Sequence, residues 1–167
     1  MGCRGVHFAI TESEATALRA RPDDQSRLEY LQEHIEEAYF SQHPEYLAES
    51  DKAWDAMHRL LADGELSYDG GVYPLNHVVL AGESLYGGDD YIISLKSPQQ
   101  VREIDKALES LSEAEFRSRY FSLHGGTYEG DIGEEDFGYT WEWFQNVRAL
   151  FTRAAPEGRF VLFSVDQ

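Results

Sequence analysis

Two short apolar runs, Tyr91-Ile92-Ile93-Ser94-Leu95 and Phe160-Val161-Leu162-Phe163-Ser164-Val165, set the limits on what this chain can become. Each is short for a helix and too continuously apolar for a strand with one wet face, so each reads as a strand covered on both faces. A smaller two-layer arrangement stays open at this point. Residues 3 to 10 read as another strand, because Val6, Phe8 and Ile10 alternate with small or polar neighbours. Three strands this far apart along the chain, with helices between them, define an α+β class: a single domain over residues 1–167, with a small mixed β-sheet packed with several α-helices. At 167 residues, one core is sufficient, since chains near that size bury about 70% of the surface they expose when unfolded.

The helices announce themselves by their starts. Thr11 with Glu14, Ser97 with Pro98, and Ser112 with Glu115 place a hydroxyl where it accepts a free N–H of a first turn. A helix from about Gln25 to Phe40 follows from Leu28, Leu31 and Ile35 at helical spacing, with Glu29, Glu33, Glu36 and Glu37 on the wet side. Ser50 reads as the cap of a third helix whose apolar arc is Ala53, Trp54, Met57, Leu60 and Leu61, ended by Gly64. Phe137, Trp141, Phe144, Val147 and Phe151 mark a last helix, stopped by Pro156 and Gly158. Residues 66–88 read as turns around one short helix, and Gly125-Gly126 as a turn leading into an acidic loop, residues 129–136.

Charge excludes one class of partner. The chain carries 31 Asp and Glu against 14 Lys and Arg, a formal charge of -17. The windows between Arg27 and Lys52, Arg59 and Lys96, and Arg119 and Arg148 contain seven, six and six acids and no Lys or Arg. Affinity for nucleic acid rests on cations that neutralise phosphates, so a nucleic-acid partner is not expected; the acidic windows read as solvated faces that keep the chain in solution, with a surface for a basic protein partner as the alternative. With 13% aromatic and 42% hydrophobic residues the chain is too apolar for a disordered acidic tail. A lone cysteine, Cys3, read as an inert buried thiol, and the lack of an apolar leader point to the cytoplasm with no membrane partner. The start Met1-Gly2-Cys3 is not taken as an acylation signal, because Val6 stands where Ser or Thr is needed.

Candidate chemistry is sparse. Asp51, Asp55 and His58 fall at i, i+4 and i+7 of the third helix as read, one stripe of two carboxylates and an imidazole that suits a divalent cation or acid–base work. The competing reading is a solvated helix edge with Arg59 as counter-charge. Trp54 borders the stripe and reads as core, its N–H reaching a partner, or as the apolar floor of a binding surface. His77 and Glu83 stand by glycine-rich turns, where functional side chains are often presented. The putting together of these six residues, Asp51, Trp54, Asp55, His58, His77 and Glu83, is the candidate binding surface. No P-loop, GxGxxG, GxSxG, HExxH or EF-hand pattern is found, so no catalytic residue, resident metal or cofactor is expected.

The landmarks occur in an order that resembles the YfbM-like family of bacterial proteins, a domain-of-unknown-function family. The resemblance rests on the Met1-Gly2 start, on the block from Ser50 to Leu61 (SDKAWDAMHRLL), and on Pro74-Leu75 leading through Val78-Val79-Leu80 to Gly82. Ser97-Pro98 with Val101, and the Phe116 to Tyr120 helix, complete it. The resemblance implies a small bacterial α+β domain in the cytoplasm and carries over no activity, cofactor or catalytic residue. Cys3 departs from the Met-Gly-Met start of the family. The function expected from these observations is non-enzymatic binding of a cationic protein, in the manner of an immunity protein. The alternatives are a hydrolase or metal-dependent enzyme built on Asp51, Asp55 and His58, and a sensor whose tyrosines line a pocket for an amine.

Overall fold

A computed structural model describes residues 3–124 and 127–167 of the chain; the Met1-Gly2 start and the Gly125-Gly126 turn lie outside the described residues. The two apolar runs become β4 (Tyr91–Lys96) and β5 (Phe160–Asp166), and the N-terminal run becomes β1 (Gly5–Ile10). Two further strands, β2 (Leu47–Asp51) and the short β3 (Glu83–Ser84), complete a five-stranded sheet in the order β2-β1-β5-β4-β3. Every pairing is antiparallel, so the sheet is not the mixed one expected from the sequence. β5 lies at its centre, and all its residues from Phe160 to Val165 are buried.

Both faces of the sheet are covered, which settles the layer question left open by the strand composition. Phe8, Ile10, Ile93, Leu95, Phe160 and Leu162 point to one face and meet Ala15, Leu18, Leu31, Ile35 and Tyr39. These come from α1 (Glu12–Arg19), a π-helical segment (Leu31–Glu36) and α3 (Glu37–Gln42), while Leu28 and Tyr30 of α2 (Asp24–Tyr30) pack against them half-buried. Ala9, Val161, Phe163 and Val165 point the other way. They pack beneath α4 (Trp54–Leu61), α5 (Pro98–Glu109), α6 (Glu113–Phe121) and the long α7 (Glu134–Ala154). The expected single core is therefore two cores divided by one shared sheet, because strands apolar on both faces must be covered twice.

The caps at Thr11, Ser97 and Ser112 form as read, each hydroxyl accepting from a backbone N–H three residues on. The cap at Ser50 does not. Its segment pairs with β1, Val6 opposite Glu49 and His7 opposite Ala48, and the Ser50 hydroxyl donates to the Gly5 carbonyl at 3.1 Å. The helix starts only at Trp54, after a turn closed by Ala53 N–H on the Ser50 carbonyl. The acidic stretch 129–136 is likewise not all loop. Glu134, Glu135 and Asp136 form the first turn of α7, where the helix dipole favours negative charge.

Candidate functional site

The six residues singled out from the sequence are all held by partners inside the protein, and two of them, Trp54 and His58, are buried. Asp51 ends β2 with φ 46°, in the left-handed region. It accepts a 2.6 Å hydrogen bond from the phenol of Tyr139 and pairs with Arg4. Because Asp51 belongs to a strand, the three-residue helical stripe does not exist. Asp55 is on α4 and accepts from Arg59 at 2.6 Å, and Arg59 reaches on to the Thr127 hydroxyl. His58 is fully buried, not a solvated edge. Its Nε2–H donates to the Ser67 carbonyl at 2.7 Å, and burial lowers its pKa.

Trp54 is core, 4% exposed, and its indole N–H donates to the Cys3 carbonyl at 2.8 Å. Cys3 itself is exposed with φ 64°, outside β1, where the sequence reading had it in a strand with a buried thiol. Glu83 receives both Nε and Nη2 of Arg19. His77 donates from Nδ1 to the Asn76 side chain at 2.7 Å. Among the described residues, no three His, Cys, Asp or Glu side chains converge as ligands of a metal ion would.

The sheet face beneath α4 and α7 carries a polar cluster that no sequence pattern announced. His7, Ser94 and Lys96 are each wholly buried. Together they cap a chain segment whose carbonyls would otherwise be orphaned in the core. His7 Nε2–H donates to the Val78 carbonyl at 2.7 Å, the Lys96 ammonium to that of Val79, and Ser94 to that of Leu80. Lys96 also reaches the Ser94 hydroxyl at 2.8 Å and lies over the Phe163 ring. Burial drives the Lys96 pKa far down; burial first, then Lys96, hold His7 at about 3. No carboxylate hydrogen-bonds to this cluster among the described residues, so its role is to tie the 78–81 segment to the sheet.

Most of the tyrosines are engaged within the protein. Eight of the ten phenols donate to carboxylates: Tyr39 to Glu14, Tyr46 to Glu157, Tyr73 to Glu103 and Tyr86 to Asp90. Tyr91 donates to Glu36, Tyr120 and Tyr128 both to Asp136, and Tyr139 to Asp51. Seven carboxylates thus have a neutral phenol as donor. One such acid, Glu36, closes the π-helical segment, and burial raises its pKa. A cleft of about 310 Å³ holds Glu14, Tyr39, His43, Tyr46 and Arg159, but its groups satisfy one another. Arg159 lies 3.6 Å from the Tyr46 ring centroid and donates to the Ala9 carbonyl.

Other carboxylates stand on the outside without an ion pair. Glu29, Glu33 and Glu37, along the helices of residues 24–42, are exposed. So is Glu49 on β2, the edge strand of the sheet. None of these four forms an ion pair among the described residues. A groove of about 340 Å³ runs beside that strand, between Ala48 and Glu49 on one wall and Trp143, Asn146 and Ala149 of α7 on the other. Sequence reasoning missed it because β2 itself was missed. The only signal was Trp143 and Asn146 continuing to Leu150 and Arg153 at helical spacing, a second stripe on a helix whose core stripe was already assigned.

The fold and its surface define a small α+β protein with an antiparallel sheet between two helical layers and an anionic exterior. The chain belongs to a family described as a domain of unknown function, DUF1877, whose model matches residues 1–164. Among solved structures it is similar to YfbM from Escherichia coli, a protein of unknown function. That likeness has 19% identity, 97% of this chain and 99% of that one covered, and a TM-score of 0.63. At that identity the likeness shows the fold alone. No curated protein matches the chain. No helix among the described residues is long and apolar enough to cross a membrane.

Proposed function

We propose that this chain is a bacterial, cytoplasmic, non-enzymatic binding protein that holds a cationic protein against its acidic exterior, as an immunity protein holds a toxin. The observation that carries this reading is the imbalance between the two charge signs. Among the cations, Arg4, Arg19, Arg59, Arg117, Arg119 and Arg159 are in ion pairs, and Lys96 is buried. The exposed carboxylates Glu29, Glu33, Glu37 and Glu49 have no such partner among the described residues. An unneutralised anionic surface repels polyanions and speeds encounter with cations.

The reading is tested by affinity capture from the native host at low and moderate ionic strength. A basic protein is expected, recovered by the wild-type chain and lost from a variant carrying Glu29→Lys, Glu33→Lys and Glu37→Lys. Recovery of no basic protein at either ionic strength, from a folded bait, contradicts it.

A further inference from the structure

The sheet stops at β2, and the far side of that strand has no neighbouring strand among the described residues. An open edge presents N–H and C=O groups ready to pair with another extended chain. Beside this edge lies the groove floored by α7, with Trp143 half-buried and Ala149 exposed. We infer that β2 is a docking edge, and that its occupant is an extended basic segment of the partner, added as a sixth strand in the groove between β2 and α7. This rests on the cationic-partner reading given above and specifies how that partner is held.

Two features choose the occupant. Side chains of a strand alternate between faces, and here the faces differ. Ala48 points toward the α7 side and belongs to that core, whereas the next residue, Glu49, is exposed at the rim of the groove. A strand laid along β2 therefore meets Trp143 and Ala149 with one set of side chains and Glu49 with the other. Apolar residues alternating with Lys or Arg match both. Charge then separates this occupant from a second copy of the chain. Two β2 edges placed together would bring Glu45 and Glu49 of each copy alongside like charges, an arrangement that edge strands use to refuse self-pairing. Arg153 is the cation of the groove, and its guanidinium faces the Tyr46 ring, 5.9 Å from the centroid.

Three synthetic peptides serve as probes: alternating lysine and valine, the same peptide N-methylated at alternate residues, and alternating glutamate and valine. Binding is read by fluorescence anisotropy, and the contact site by amide hydrogen exchange of the labelled chain. The lysine peptide is expected to bind and to slow exchange in residues 47–49. N-methylation, which removes strand hydrogen bonds and keeps the charge, is expected to weaken it about tenfold or more. The glutamate peptide is expected not to bind. Glu49→Lys and the groove-filling Ala149→Trp, each checked for an unchanged unfolding midpoint, are expected to weaken the lysine peptide similarly. Equal binding of the N-methylated peptide, protection elsewhere, or no binding of the lysine peptide overturns strand addition. The wider reading is judged separately, since Glu29, Glu33 and Glu37 in the capture experiment lie on other elements.

Discussion

The phenol of Tyr139 donates a 2.6 Å hydrogen bond to the carboxylate of Asp51, and its oxygen accepts the N–H of Lys52, so α7 is fastened to the end of β2. Asp51 sits in the left-handed region with φ 46°, a conformation that needs surrounding contacts to persist. Replacing Tyr139 by Phe removes both bonds while keeping the ring. A loss of about 1–2 kcal/mol in chemical denaturation is expected, and hydrogen exchange in β2 should quicken more than in β5.

The same pairing sets the alkaline limit of the fold. Burial, with the Asp51 and Glu103 carboxylates adding to it, pushes Tyr139 and Tyr73 each up to about 12. Tyr39, Tyr91, Tyr120 and Tyr128 are raised as well, with burial as the largest cause. A phenol whose folded pKa is raised contributes stability that is complete below its unfolded value near 10 and is lost as pH climbs through the folded value. Denaturation midpoints measured at about pH 9 and about pH 11 should fall, and Tyr139→Phe should fall less steeply.

At the acid end the sign reverses, and His7 is one of the groups that contribute, with His58 and His77 also lowered by burial. Burial and Lys96 hold its folded pKa at about 3, from 6.5. The unfolded chain therefore takes up a proton that the folded one refuses, so the contribution is present above 6.5 and is lost as pH falls toward 3. The titratable neighbour that acts on it is Lys96, itself lowered by burial. A His7→Gln variant should start less stable and lose less between those limits, as read from unfolding midpoints across that range.

Lys96 separates volume from charge. It is among the largest fully buried side chains, and its ammonium meets a carbonyl and a hydroxyl without a carboxylate partner. Lys96→Met keeps the volume and gives up the hydrogen bonds, so a change within about 2 kcal/mol is expected. Lys96→Ala opens a cavity as well, and a loss of about 3 kcal/mol or more should follow. Equal losses for the two variants would place the ammonium, and not the packing, at the centre of the cluster.

Gly5 marks where β1 and β2 meet the Trp54 ring. A Cβ there would lie 2.8 Å from both the Phe163 ring and the Ser50 hydroxyl, and 2.9 Å from Trp54. Gly5→Ala should cost about 1–3 kcal/mol, as overpacking of a filled core does. Trp54→Phe in the same background should recover part of that loss, measured by urea unfolding.

The strands at β4 and β5 were legible because continuous apolar runs have few other uses, and β1 because Val6, Phe8 and Ile10 alternate with small or polar neighbours. So were the caps at Thr11, Ser97 and Ser112, whose chemistry is local. What the sequence concealed was non-local. Ser50 has the right identity for a helix cap, yet pairing of Leu47–Asp51 with β1 overrides it. That single change dissolved the Asp51, Asp55 and His58 stripe, hid the edge strand and left the groove unseen. His58 and Lys96 are polar letters whose burial depends on carbonyls far along the chain. Trp54, in contrast, was readable as core with a partnered N–H, because its place on the apolar arc of α4 is set within one helix.

With the anionic exterior as the proposed binding surface, the most direct measurement is the affinity of the captured basic partner in purified form. It is titrated against the wild-type chain and the Glu29→Lys, Glu33→Lys, Glu37→Lys variant at about 0.05 M and about 0.5 M salt, which spans strong and weak screening. Affinity should drop steeply with salt for the wild type and be low throughout for the variant. An affinity that is insensitive to salt and unchanged by the three substitutions would contradict the account.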